Sequence, residues 1–206
     1  MNLTVENIQD TLRDKGFAWF SNGDYNLNIV GVRNSETGDE VTNKFDDKIT
    51  VSYKVEGEWK FLCFDCTTDP GKYWVKNIMR KEGVAALKEG QYRGAYRIDK
   101  HRGQYDALCQ RGAKVVVYRD ANKDLTYDLS EDNTQEGYFG INIHRATGRS
   151  GKTSTQVDKW SAGCQVIASN DDWNEFMFVC HKAKNLWGNS FTYTLIKSED
   201  IYGLTE

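Results

Sequence analysis

Apolar residues recur along this chain mostly at short, strand-like intervals, with helical spacing near each end. Val5, Ile8 and Leu12 fall on one helical face, with Thr4 placed to cap the run and Gly16 to stop it. That spacing predicts a helix over about residues 4–15. A second helix is predicted over residues 171–184, with Trp173, Phe176, Met177, Val179 and Cys180 on its apolar face. Strands are predicted over residues 25–32, 49–55, 59–64, 91–98, 114–118, 138–144 and 191–196. Glu56-Gly57-Glu58 joins two of them as a hairpin. Pro70 sits with Gly71 in a tight turn. Residues 76–88 read as a short helix interrupted by Gly83, and Ala107-Leu108-Cys109-Gln110 as a buried segment. Many short strands, few helices and no long linker or internal repeat predict one domain over residues 1–206. Its class is α+β, mainly β, with the β-rich part between about Tyr25 and Ile167.

Charge narrows the partners. The 27 basic and 30 acidic side chains give a net charge of −3, which argues against a nucleic-acid protein while leaving room for a local basic patch. No apolar run is long enough to span a bilayer. The first residues, MNLTVENIQDTLRDKGF, lack the apolar stretch of a secretory signal. The expected location is therefore cytoplasmic as synthesised, with virion assembly or lysis as routes to the cell wall. The five cysteines are an odd number, which points to free thiols rather than a disulfide scaffold. Cys63 and Cys66 have CxxC spacing but no second pair and no clustered histidines. Buried thiols are the expectation there, not a metal or redox site. No metal site, cofactor or oligomeric state is assigned.

Three stretches carry candidate chemistry. The first, Gly140 to Ile167, reads GINIHRATGRSGKTSTQVDKWSAGCQVI. An apolar strand ends in His144, a small and polar loop follows, and Trp160 introduces Ser161-Ala162-Gly163-Cys164. A cysteine nucleophile needs a base for its proton and N–H groups for the oxyanion. His144 is the candidate base, and the N–H groups around Gly163 and Cys164 are the candidate oxyanion donors. Each such donor is worth on the order of 3 kcal/mol in a dry site. Ser161 would orient the imidazole or hydrogen-bond the turn. A buried cysteine beside an unrelated histidine accounts for the same residues.

The second stretch, DKHRGQYDALCQ, offers His101, Tyr105 and Gln110 with Arg97 and Arg102 nearby. Tyr105 would hydrogen-bond a substrate, and the arginines, with Arg145, would hold its carboxylates. A solvated loop ahead of a buried segment fits as well. The third runs from Asp120 to Glu131. Its oxygen-bearing residues, Asp120, Asn122, Asp124, Asp128 and Glu131, have the spacing of an EF-hand loop, but Leu125 stands where that loop needs glycine. A calcium loop and a plain polar hairpin both remain open.

A histidine, a gap, then S-x-G-C on β-rich sequence resembles the catalytic domain of the YkuD-type L,D-transpeptidases. INIHRA and VDKWSAGCQV also resemble proteins encoded in phage genomes. The resemblance covers about Gly140 to Ile167. It implies an L,D-transpeptidase-like β-sandwich or barrel with peripheral helices. It also implies thioester chemistry at Cys164 on peptidoglycan stem peptides, resolved by water or by an amine. His144, Ser161 and Gly163 would complete the catalytic set, with Arg145, Tyr105, His101, Trp160 and Gln165 toward substrate. Ala162 stands where the family has a second histidine. Gln165-Val166 replaces its apolar residue and Asn or Arg, positions that shape the donor carboxylate and oxyanion site.

Overall fold

The computed structural model describes residues 1–201. Helix α1 (Val5–Asp14) starts from a reciprocal cap: the Asn7 N–H donates to Thr4 Oγ1 and the Thr4 N–H to Asn7 Oδ1. Next come β1 (Asn28–Arg33), β2 (Asp47–Val55), β3 (Glu58–Thr67), α2 (Lys72–Lys76) and β4 (Val84–Leu87). The chain continues through β5 (Gly90–His101), β6 (Tyr105–Gln110), β7 (Val115–Asp120), β8 (Thr134–Gly137), β9 (Ile143–Arg145) and β10 (Gln165–Ile167). Helix α3 (Asn170–Trp187) and β11 (Phe191–Lys197) close it.

Eight strands form a closed barrel in the order β1-β11-β5-β6-β9-β10-β3-β2, and β4, β7 and β8 make a separate three-stranded sheet. Most barrel pairs are antiparallel. The exceptions are β1 with β11 and β9 with β10, which run parallel. The β2–β3 turn follows from its residues: Glu56 and Gly57 both have positive φ, the geometry that matches strand twist in a two-residue hairpin. The architecture is thus mainly β with a few helices. Helix α1 covers the barrel's outside, packing Ile8 and Leu12 on Val30, Val32 and Ile196. Helix α3 is not peripheral. Trp173, Phe176, Val179 and Cys180 belong to the main core, and Phe176 meets Phe64 edge-on at 6.3 Å.

Three expectations are corrected. Residues 76–88 are not a helix; they hold the end of α2, a turn and β4. Gly83 has φ +86, and a Cβ there would lie 1.8 Å from the Asp120 carbonyl oxygen. The chain must therefore turn at Gly83 and pair with β7. Residues 138–144 are not one strand: only Ile143–Arg145 is, because Gly140 takes φ +71. The Gln110 side chain, not a neighbouring strand, satisfies that segment. Its Oε1 accepts the N–H groups of Phe139, Gly140 and Ile141. Finally, Cys63 and Cys66 are not both buried. Three residues apart on β3, they point to opposite faces, leaving Cys63 exposed and Cys66 in the core.

Candidate active site

The parallel pairing of β9 and β10 builds the site. Val166 stands beside His144, and the Gln165 N–H donates to the Asn142 carbonyl at 2.9 Å. The two-residue alternation puts Asn142 and His144 on one face, with Cys164 across from Asn142. Two main-chain groups hold the Cys164 sulfur: Sγ accepts the Asn142 N–H at 3.4 Å and donates to the Gly140 carbonyl at 3.5 Å. Cys164 is half-buried on a cleft of about 430 Å³ that His101, Asn142 and Ala162 also line.

The turn before Cys164 is stapled by Ser161, which is fully buried. Its Oγ donates to the Cys164 carbonyl at 2.7 Å and accepts the Gly163 N–H at 3.1 Å. Ser161 thus serves the turn and does not touch an imidazole. The expected role of the Gly163 N–H as an oxyanion donor is corrected for the same reason, since that N–H is already engaged. Among the described residues, the Cys164 N–H has no protein acceptor. Gly163 itself is required. It has φ +127, and a Cβ would stand 2.0 Å from the Ala85 carbonyl oxygen, so β4 passes directly against the turn.

Two histidines stack on each other, His101 on His144, with ring centroids 4.2 Å apart, and of the two His101 lines the cleft. Their partners fix their tautomers. His144 Nδ1 lies 2.9 Å from the Arg145 carbonyl, which can only accept, so Nδ1 carries the proton and Nε2 is a free acceptor. Asn142 Oδ1 accepts the Gln110 N–H, which leaves its amide NH₂ facing His101 Nδ1 at 3.1 Å. His101 Nδ1 therefore accepts, and its proton sits on Nε2. Burial lowers the pKa of both rings, to about 3 for His144 and about 4 for His101. The other ring, with Arg102, adds to the effect at His144, as Arg102 and Arg111 do at His101. Burial pushes the Cys164 thiol up, opposed by the Asn142 N–H and the Arg102 charge. The resting site thus holds a thiol and two neutral imidazoles, not a thiolate–imidazolium pair. His144 makes no hydrogen bond to Cys164 in this state.

No family model matches this chain. Nor does any curated protein or solved structure match it significantly. What the site can do rests on its own chemistry.

The remaining candidates divide. His101 lines the cleft with Cys164, and Arg102 beside it does too. Arg145 is tied down, its guanidinium 4.2 Å from the Tyr105 ring centre and 3.4 Å from Asn170 Oδ1. Tyr105 packs edge-on against Trp173 as well, and neither Arg145 nor Tyr105 lines the cleft. Trp160 is exposed but off the cleft wall. Gln165 as a substrate contact is corrected: it is fully buried, donating to Thr68 and Gly163 carbonyls and accepting the Tyr193 hydroxyl at 2.8 Å. A strand position facing the interior gives it that bracing role.

The sequence reading passed over Asn142, which touches both Cys164 and His101. Its place two residues before His144 in INIH was the available signal, because the two share a face. It also passed over Arg80, Arg111 and Arg119. With Arg102 they put four guanidinium groups on the cleft, and among the described residues no Asp or Glu lines it. No three acidic, imidazole or thiol groups converge to hold a metal among the described residues. No helix among them is long and apolar enough to cross a membrane.

Proposed function

We propose that this chain is a cysteine-dependent acyl-transfer enzyme acting on peptidoglycan stem peptides, a divergent phage-type member of the L,D-transpeptidase group. The observation that carries the reading is the tautomer lock at His144. With its Nδ1–H held by the Arg145 carbonyl, its Nε2 lone pair is free to take a proton on the face that Cys164 shares. The thiol proton passes from Sγ to Nε2 as Sγ attacks the substrate carbonyl. The Cys164 N–H faces the developing oxyanion. The amine leaves with the proton from the imidazolium, and a thioester remains. Water then gives a hydrolase, or a second amine a transpeptidase. His101 Nε2–H is a further donor at the cleft. The guanidinium groups of Arg80 and Arg102 suit the free carboxylates of a stem peptide, with Arg111, paired to Asp99, and Arg119, bonded to Gln135, adding positive charge to the same cleft. Synthesis in the cytoplasm and delivery to the wall by lysis or on a virion accompany this reading.

A second reading has its own support. Ala162 removes the family's second histidine, and the resting Sγ bonds main-chain groups instead of an imidazole. That fits a non-catalytic virion or wall-binding protein that keeps a degenerate transpeptidase-like fold. Mass spectrometry of purified sacculi after incubation decides between the two. The expected result is new muropeptides with the wild type and none with Cys164→Ala, both proteins showing the same unfolding midpoint. Identical products from the two proteins, or none from either, would remove the enzyme reading. Thiol adducts should be read in a Cys63→Ser background, because Cys63 is exposed.

A further inference from the structure

The loop from β7 to β8 takes no part in the proposed reaction, and it brings acidic side chains near one buried carboxylate oxygen that lacks a partner. It starts at Asp120, the last residue of β7, which is only 5% exposed. Asp120 Oδ1 accepts the Asn122 N–H at 3.2 Å. Asn122 Oδ1 in turn accepts the Asp124 N–H at 3.1 Å, and Asp124 Oδ1 the Thr126 N–H at 2.8 Å. These bonds occupy one oxygen of each side chain. The second carboxylate oxygen of Asp120 is buried and has no hydrogen-bond partner among the described residues. A buried carboxylate oxygen without a donor is costly to keep. Burial first, then the charges of Asp124 and Asp128, raise the Asp120 pKa against the opposing pull of the Asn122 and Asp128 N–H groups. Among the described residues no Lys or Arg forms an ion pair with any of the three. Glu131, the last oxygen of the spacing noted in the sequence, is turned away to Lys88.

We propose that this loop binds a calcium ion, through the unpartnered Asp120 oxygen together with oxygens of Asn122, Asp124 and Asp128. A hard divalent cation meets both needs at once, supplying the missing partner and offsetting three like charges. Calcium fits better than magnesium, since an irregular loop of mixed carboxylate and amide oxygens does not impose strict octahedral geometry. The site is not an EF-hand: a strand precedes it, Leu125 replaces the glycine, and Glu131 is committed elsewhere. The carboxylates do not converge on one point in this state, and Asp128 Oδ2 accepts the Asn133 amide, so binding requires Asp124 and Asp128 to turn toward Asp120. That end of β7 touches the cleft wall. The Asp120 carbonyl packs on Gly83, and neighbouring Arg119 lines the cleft. The ion would thus stiffen one wall of the site whatever that site does.

The test is thermal unfolding and calorimetric titration of the EDTA-treated full chain with calcium chloride, and with magnesium chloride for comparison. A hundredfold excess of calcium over its Kd should raise Tm by about 5 °C or more. Magnesium at the same concentration should raise it less. Asp124→Asn, at an exposed position, should weaken calcium binding at least tenfold, and Asp120→Asn should abolish it. An unchanged wild-type Tm with no heat of binding at millimolar calcium overturns the proposal. So does an Asp124→Asn protein that binds like the wild type, even if Asp120→Asn fails to fold. Neither readout depends on peptidoglycan activity, so failure here leaves the catalytic reading untouched, and the reverse holds too.

Discussion

His101 and His144 lie ring on ring, yet they hold their protons on different nitrogens, and each tautomer is set by one neighbour. The Arg145 carbonyl fixes His144, and the Asn142 amide fixes His101. Burial keeps both rings neutral well below the usual imidazole range. The pH dependence of the proposed reaction follows from this. The value of kcat/KM should hold steady from neutrality down to about pH 5 and fall only as His101, near 4, and then His144, near 3, take up protons. A pH–rate profile with its acid limb centred near the ordinary histidine value of 6.5 would contradict it. Neither tautomer was legible in the sequence. It showed a histidine, a gap and a cysteine, but a main-chain carbonyl that orients a ring has no sequence signature.

At the scale of elements, the segment between β8 and β9 shows why strand prediction stopped short. Residues 138–144 carry strand-like residues, yet Gly140 bends the chain and no strand pairs with its first part. Gln110, from β6, replaces that missing strand with one side chain. Its Oε1 accepts three N–H groups, and its Nε2 donates to the carbonyls of Ala113 and Gly137. The same segment presents the Gly140 carbonyl and the Asn142 N–H to the Cys164 sulfur. Gln110→Leu removes the acceptor without removing the bulk. It should cost about 2 kcal/mol or more in urea unfolding, because one buried and two half-buried N–H groups lose their partner together. It should also lower kcat/KM, since Phe139, Gly140 and Ile141 line the cleft and the same segment seats the nucleophile. A loss below about 1 kcal/mol would mean that water or a shifted carbonyl replaces it. The local elements were easier to read. The Thr4 cap, the Glu56-Gly57 turn, the strand over residues 114–118 and the α3 apolar face depend on neighbours in sequence.

For the whole molecule, barrel closure sets the energetics of the site. The parallel pairs β1–β11 and β9–β10 join segments far apart or separated by a long loop, and the second of them carries His144 into the interior, where it stacks on His101 from the end of β5. Unfolding returns both imidazoles to water. Their folded pKa values lie below the unfolded one, so the unfolded chain binds more protons between about pH 6.5 and 4. The stability linked to them is fully present above pH 6.5 and is lost as pH falls through that window. The loss is on the order of 3 kcal/mol for His144 and smaller for His101, whose ring borders the open cleft and is partly screened by solvent. Urea unfolding at pH 7 and pH 4.5 should show it, and His101→Gln should reduce the difference between the two pH values. An equal difference in both proteins would place the acid sensitivity elsewhere.

The sequence by itself determined the periodicity, and with it a mainly β chain, both longer helices, the tight hairpin and the pairing of a cysteine turn with a histidine strand. Those are short-range matters of apolar spacing, caps and turn residues. Tertiary structure alone decided the rest. Cys63 faces water while Cys66 does not, Gln165 is a brace, and the Gly163 N–H is spent. His101 joins His144, and four guanidinium groups from separate strands and loops share one cleft. Each of these depends on which strands become neighbours when the barrel closes, and long-range pairing leaves no local pattern in the chain.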